Sequence, residues 1–216
     1  MAILDLLPIL GQGVRVTVVV TVLSFLFGAI LALPVSTLQR SRFVVLRLVS
    51  GVYVELLRGM PPLAWLFIVY FGLPPLGVRL EPLQAAIIVF SLIAAAYLSE
   101  IYRAGLRSVP RGQLEAATAL GLGGINTYRR VIVPQAIPLV APLAIAYLIG
   151  LIKDSAAASV IGVLEITGRA LSESRLGGTS LQAFLAAGVL YLLISIPVGL
   201  IGRGVSRRLK PTRVGT

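Results

Sequence analysis

Between Val16 and Leu33 the chain runs for eighteen residues, VTVVVTVLSFLFGAILAL, without one charged side chain. As a helix this run is about 27 Å long at about 1.5 Å per residue, close to the roughly 30 Å hydrocarbon thickness of a bilayer. Leu83–Leu98 and Leu181–Ile201 are likewise uncharged. Inside lipid every backbone N–H and C=O needs a partner from the chain itself, so such runs fold as spanning helices. Charged residues make up only 12% of the sequence, about half the ~25% usual for a soluble domain. The expected fold is therefore an all-α integral membrane protein, one transmembrane domain over residues 1–216. The opening MAILDLLPIL has no basic segment and no small-residue cleavage site, so no cleavable signal peptide is expected.

Five spans are expected, at about 13–33, 50–73, 82–102, 133–153 and 181–202. Pro34 and Gln39-Arg40-Ser41-Arg42 close the first, and Pro74-Pro75 ends the second. On this topology the connections on one side carry thirteen Arg and Lys residues, those on the other only four (Arg15, Arg79, Arg169 and Arg175). The positive-inside bias then places the N-terminus outside, the C-terminus in the cytoplasm, and the loop 103–132 on the cytoplasmic side. The net charge of +11 is accounted for by these flanking residues, so a nucleic-acid partner is not expected. Lipid is the expected surrounding.

Cysteine and histidine are both absent. That removes thiol nucleophiles, disulfides, histidine relays and metal sites built on Cys or His. No catalytic pair stands out among the eight acidic residues, and no metal site is expected. The phosphate-cradling pattern G-x-x-x-x-G-K-[ST] is missing. If transport by this chain is driven by ATP, the energy arrives through another polypeptide.

A loop that merely joins two spans needs only a few residues, yet about thirty separate the third from the fourth. Within it, LEAATALGLGGINTYRRVIVPQ (114–135) predicts a short helix, a glycine turn at Gly121, Gly123 and Gly124, and a second segment carrying Arg129 and Arg130. Two readings stand side by side. The helix lies on the membrane with its arginines on lipid phosphates, or its small residues and Glu115 form a docking surface for a cytoplasmic partner.

Glu115-Ala116-Ala117, Gly121 and Val131-Ile132-Val133-Pro134 resemble the EAA loop of ABC importer permeases, with Val-Ile-Val-Pro where the family has Ile-x-Leu-Pro. Glu55-Leu56-Leu57-Arg58-Gly59-Met60-Pro61 is similar to the Glu-x-x-Arg-Gly-Thr-Pro signature of the polar amino-acid type. Ala96–Gly105 with Val109–Gln113, and Lys153-Asp154-Ser155 with Ser159–Gly162, extend the likeness over most of 53–162. The resemblance implies a type I importer fold with five transmembrane helices and a cytoplasmic coupling helix. It implies a second permease, identical or homologous, and a cytoplasmic ABC ATPase dimer that binds ATP and Mg. It also implies an extracytoplasmic substrate-binding protein and a bacterial cytoplasmic (inner) membrane. Glu115, Ala116, Ala117 and Gly121 then become the ATPase contact. The activity implied is import of a polar amino acid or related small solute by alternating access. An ATP-independent carrier or channel is the alternative, but internal repeats and a carboxylate at the centre of a span, which such carriers show, are missing.

Polar groups at membrane depth are candidates for the substrate path, because even lenient scales put one at about 2.5–3.5 kcal/mol at a helix centre. Thr17, Thr21 and Ser24 form one stripe of the first span. Lys153, Asp154 and Ser155 lie near the outer end of the fourth; the plainer reading is that Lys153 snorkels while Asp154 and Ser155 cap the helix that follows. Glu55 and Arg58, three apart, are expected to pair with each other or with a neighbouring helix. Pro134, Pro138 and Pro142 recur every fourth residue and predict a bent or locally opened helix, a candidate gate. Beyond them, Ala144-Ile145-Ala146 stands where the family often has a polar set such as Gly-Asn-Glu, which argues against a cationic amino acid being held by this subunit.

Overall fold

The computed structural model describes residues 3–177 and 180–209, and every regular element among them is helical. Helix α1 (Ile3–Leu38) has 36 residues, about 54 Å of helix, and so outreaches the expected 13–33 span at both ends. Its early turns are held by packing: Leu6 and Leu10 are fully buried against α8 (Ile166–Gly177) and α9 (Ser180–Leu209) through Ile166, Ala170, Ala183, Ala186 and Ala187.

The hub is α4 (Pro82–Ser108), against which α1, α2 (Val44–Gly59), α3 (Pro62–Gly72) and α7 (Val133–Asp154) all pack. Lipid tails give helices no hydrophobic reason to associate, so close backbone approach through small residues does that work. Ala85, Ala86, Ala94, Ala95 and Ala96 of α4 are fully buried, and a Cβ placed on Gly28 of α1 would run into the Ala94 methyl. Larger groups fill the space around this seam: Val20, Val54, Leu66, Val89, Phe90, Ile93 and Leu151 are buried in one cluster. Hydrogen bonds add to it, with Tyr53 donating to the Leu92 carbonyl at 2.7 Å and Tyr102 to the Ala29 carbonyl at 3.3 Å. At the basic end, Gln39 Nε2 donates to Glu100 Oε1 at 2.9 Å, and Arg103 meets the same carboxylate at 2.6 Å.

Four helical stretches are long and apolar enough to cross a membrane by themselves, Pro8–Leu38, Pro82–Ser108, Gly124–Ile161 and Ser180–Leu209. The expected second span, 50–73, is not one straight helix. Val44–Gly59 and Pro62–Leu76 meet at 105°, because Pro61 and Pro62 interrupt it. A residue before proline is driven out of the α region, and Met60 is extended at φ −111°, ψ 145°; Pro62 then occupies the first turn of α3, where no N–H is needed. Between α7 and α9 the chain forms a 3-10 turn over Ser155–Ile161 and then α8, a helix the hydropathy reading did not foresee.

The α1–α4 seam yields a test. Gly28→Leu forces a branched side chain onto Ala94 and lowers the thermal midpoint of the detergent-solubilised chain, at a cost of about 1–3 kcal/mol. Gly51→Ala, where a Cβ meets nothing within 4 Å, leaves the midpoint unchanged or slightly higher.

Candidate functional site

At the basic end of the bundle, α5 (Arg111–Ala119) starts after Pro110 and stops within three turns. The stop is a Schellman turn: Leu122 N–H donates to the Ala117 carbonyl and Gly121 N–H to the Thr118 carbonyl, both at 3.0 Å. Gly121 sits at φ +72°, a left-handed conformation that glycine adopts without a steric penalty. Helix α6 (Gly124–Thr127) follows, with the Thr127 hydroxyl directed at the Leu122 and Gly123 carbonyls, each 3.2 Å away. Tyr128–Ile132 then widens into a π turn, closed by the Val133 N–H on the Tyr128 carbonyl. The widening precedes Pro134, whose missing N–H and bulky ring cannot continue an ordinary α turn. The opening expected for the proline-rich helix is thus at its first turn, while Pro138 and Pro142 lie inside a continuous α7.

This hairpin is clamped to the bundle by Gln135 Nε2 donating to Gln113 Oε1 at 3.0 Å. Its outer side is apolar at the tip. Leu120 is 79% and Ile125 85% exposed, with Leu114, Glu115 and Ala116 also exposed. Ala117 faces the other way, buried at 3% exposure. The four residues that the EAA resemblance grouped as one contact therefore divide: Glu115 and Ala116 on the open surface, Ala117 packed inward, and Gly121 forming the turn.

Beside the α2–α3 break the structure assembles a group that the sequence reading did not connect. The Arg58 guanidinium lies 5.1 Å from the centroid of the Tyr97 ring, a cation–π distance, and Tyr97 stacks on Tyr147 at 5.1 Å. Arg58 thus faces a neighbouring helix, α4, and no Glu55–Arg58 ion pair occurs among the described residues. Among the described residues Arg103–Glu100 is the ion pair present, and Glu55 is exposed on α2. Arg58 lies within one turn of the break at Met60-Pro61, with the Tyr97 ring facing its guanidinium.

Thr17, Thr21 and Ser24 are turned inward and almost fully buried. Thr17 Oγ1 accepts from the Ile166 N–H and Ser24 Oγ donates to the Ile87 carbonyl, each at 3.3 Å. Lys153 and Asp154 are exposed. The Asp154 side chain caps nothing in the 3-10 turn that follows, contrary to the capping reading, and Ser155 is buried and donates back to the Ile152 carbonyl at 2.8 Å. No group of three or more acidic residues that could hold a metal occurs among the described residues.

Glu165, on the connection into α8, is the most enclosed carboxyl group described, at 0% exposure. Its oxygens accept the Gly168 N–H at 2.7 Å and the Thr167 N–H at 3.0 Å, capping the start of α8, and the Tyr191 hydroxyl of α9 also donates to it. Tyr191 in turn meets the Thr167 hydroxyl at 3.1 Å. Helix α1 closes over this cap so tightly that a Cβ on Gly13 would come within 2.8 Å of the Glu165 and Ile166 backbone. Burial pushes the Glu165 carboxyl above its ordinary value, against the hydrogen bonds from Tyr191, Thr167 and Gly168, which favour the charged form.

The family model described as binding-protein-dependent transport system inner membrane component matches residues 24–211. The chain belongs to this family. Among curated relatives of this inner membrane component, the L-cystine transport system permease protein TcyB of Bacillus subtilis is 40% identical over 206 residues, covering 94% of this chain and 87% of the relative. The arginine transport system permease protein ArtQ of the same organism is 35% identical, with 94% of each chain covered. Among solved structures, an amino acid ABC transporter crystallised with histidines superposes with a TM-score of 0.88 at 29% identity, over 93% of this chain and 94% of that one. The inward-facing MetNI methionine ABC transporter shares the fold, with a TM-score of 0.79 at 23% identity over 94% and 97% of the two chains.

Two features of this inner membrane component escaped the sequence reading for different reasons. Tyr97 and Tyr147 sit on helices 50 residues apart, and only tertiary packing brings them to Arg58. Glu165 carries a local signal, an acidic residue immediately ahead of a helix, but glutamate is an unusual N-cap, and hydropathy does not register the helix it starts.

Glu165→Ala leaves two amides and a hydroxyl without their acceptor and lowers the melting midpoint, at roughly 1–3 kcal/mol for a buried group left unpaired. The pH dependence follows from the raised carboxyl. Folding favours its protonated form, so its contribution is fully present below the ordinary glutamate value of 4.5 and fades as pH rises through the folded value. In Glu165→Gln that part of the pH dependence of the midpoint disappears.

Proposed function

We propose that this chain is the membrane-spanning permease of an ATP-driven amino-acid importer. The family match over residues 24–211 carries the reading, and relatives named as cystine, arginine and glutamine permeases support the amino-acid class. The bundle end bearing α5 and most of the arginines faces the cytoplasm, by the positive-inside bias, with the N-terminus outside. A partner ATPase dimer binds ATP and Mg and seats the α5–α6 hairpin. A second permease completes the path, and an external binding protein delivers the solute.

Within this reading the hairpin is the coupling element. Leu120 and Ile125 are its apolar anchors, Glu115 and Ala116 its specific surface, and Ala117 and Gly121 hold its shape. Large aliphatic groups left this exposed on a polar turn favour a protein partner over bare solvent. The π turn ahead of Pro134, with Pro138 and Pro142, lets α7 bend as the hairpin is moved. Thr17, Thr21, Ser24 and Ser155 serve packing between helices. Lys153 and Asp154 stand at the outer end of α7, where solute enters. The α-carboxylate common to all amino acids is met by Arg58, which has no carboxylate partner of its own among the described residues. The apolar Ala144-Ile145-Ala146 favours an uncharged side chain.

Co-purification tests the coupling reading. When the permease is expressed with its ATPase, Leu120→Asp combined with Ile125→Asp lowers ATPase recovery at least tenfold, and Glu115→Lys lowers it less. Unchanged recovery in the double variant contradicts it. For the solute site, Arg58→Ala raises the apparent KM for uptake at least tenfold, the weight of one lost charge-assisted bond of about 1.5–3 kcal/mol. Arg58→Lys restores part of the loss, and the affinity of the isolated binding protein is untouched.

A further inference from the structure

Two clefts adjoin at the basic end of the bundle, and Leu106 lines both. One, of about 320 Å³, is bordered by Arg40, Arg107 and Arg111, together with Pro110 and Leu114. The other, of about 330 Å³, is almost wholly apolar and runs between α1, α4 and α7 past Leu33, Tyr102, Ala136, Ile137 and Val140. Helices α1 and α4 contribute to both in the same order. On α1 the apolar cleft takes Leu33 and Thr37, and Arg40, two residues past its end, borders the basic one. On α4 Tyr102 and Leu106 give way to Arg107; at the start of α7 Val140, Ile137 and Val133 line the apolar cleft, and in the π turn Ile132 lines the basic cleft and Tyr128 the apolar one. On α1 and α4 the basic cleft therefore lies beyond the apolar cleft at the end of the bundle, and the apolar cleft continues two helical turns or so toward the middle of the spans. No acidic side chain lines either one. Leu33, Val133 and Ile137 are 58%, 43% and 42% exposed, so the apolar cleft is open on its flank.

We propose that these joined clefts bind one anionic phospholipid, its phosphate on Arg40, Arg107 and Arg111 and an acyl chain in the groove between α1, α4 and α7. A guanidinium matches phosphate oxygens in bidentate fashion, and basic pockets between helices on the cytoplasmic side are suited to anionic headgroups. Neither half alone identifies the ligand. Three arginines would take any phosphate, and an apolar groove any tail, but the head-over-tail order at the depth of one leaflet fits an amphiphile that is both. The side assignment rests on the orientation proposed above, whereas the pairing of the clefts does not. Because Arg111 opens α5 and Arg107 closes α4, the headgroup ties the coupling hairpin to the bundle from the lipid side.

The test uses the full complex of permease, ATPase and binding protein in nanodiscs containing phosphatidylglycerol and phosphatidylcholine, with retained lipid read by native mass spectrometry after detergent exchange. Wild type retains phosphatidylglycerol over phosphatidylcholine. Arg40→Gln with Arg107→Gln lowers that retention about thirty-fold, at roughly fivefold per arginine near the surface. Ile137→Trp, which fills the apolar groove without changing charge, also lowers it, and Arg203→Gln with Arg207→Gln, on α9 away from both clefts, does not. Equal retention of the two lipids by wild type overturns the proposal, as does equal loss from the α9 variant. If inorganic phosphate displaces the bound lipid from wild type and Ile137→Trp binds as wild type does, the site is one for a free anion and the lipid assignment fails. Each variant is first required to elute as the intact complex; if Arg40→Gln with Arg107→Gln does not, Arg40→Gln alone carries the test, and retention unchanged in it overturns the proposal.

Discussion

Every backbone polar group within the hydrocarbon must find its partner inside the chain, and the architecture follows from where that demand can be relaxed. Regular helix holds through most of α1, α4, α7 and α9. Proline relaxes it at two places: at Met60-Pro61-Pro62, where the chain turns by 105°, and ahead of Pro134, where one turn widens. With the backbone satisfied in place, tertiary association falls to close packing, and the alanines of α4 against Gly28 of α1 supply it. The functional candidates lie at the relaxed points. Arg58 sits within one turn of the first break, and the exposed hairpin leads into the second.

The same separation of roles runs through the two ends of the bundle. At one end Glu165 gathers α1, α8 and α9 around a buried carboxyl group, a corner closed by packing. At the other, α5 and α6 project Leu120 and Ile125 beyond the arginines, held at their base by Gln113 and Gln135. A chain with no phosphate-binding loop of its own needs such a projection if force is to reach its spans, and the clefts around Leu106 put lipid in a position to steady it.

Much of this was legible in the sequence, and the remainder was hidden for physical reasons. Uncharged runs located α1, α4 and α9 because hydropathy is a property of consecutive residues. Hydropathy also bridged Pro61-Pro62, since both flanks are apolar, although the prolines themselves signalled a break. Helix α8 is too polar to register on that scale. The EAA resemblance drew attention to Glu115–Gly121, but which side of a three-turn helix faces inward depends on what it packs against, so Ala117 could not be told from Ala116. The Arg58–Tyr97–Tyr147 stack and the joined clefts arise from three or more elements meeting, which no local pattern records.

We propose that this chain provides a path and a handle, while the partner ATPase supplies the energy. Uptake of a labelled amino acid into proteoliposomes tests it most directly, with the permease reconstituted alone, with its ATPase, and with both ATPase and binding protein. The account predicts uptake only in the complete system, and only with ATP on the side that bears α5. Equilibration of the amino acid by the permease alone, without ATP, would contradict it.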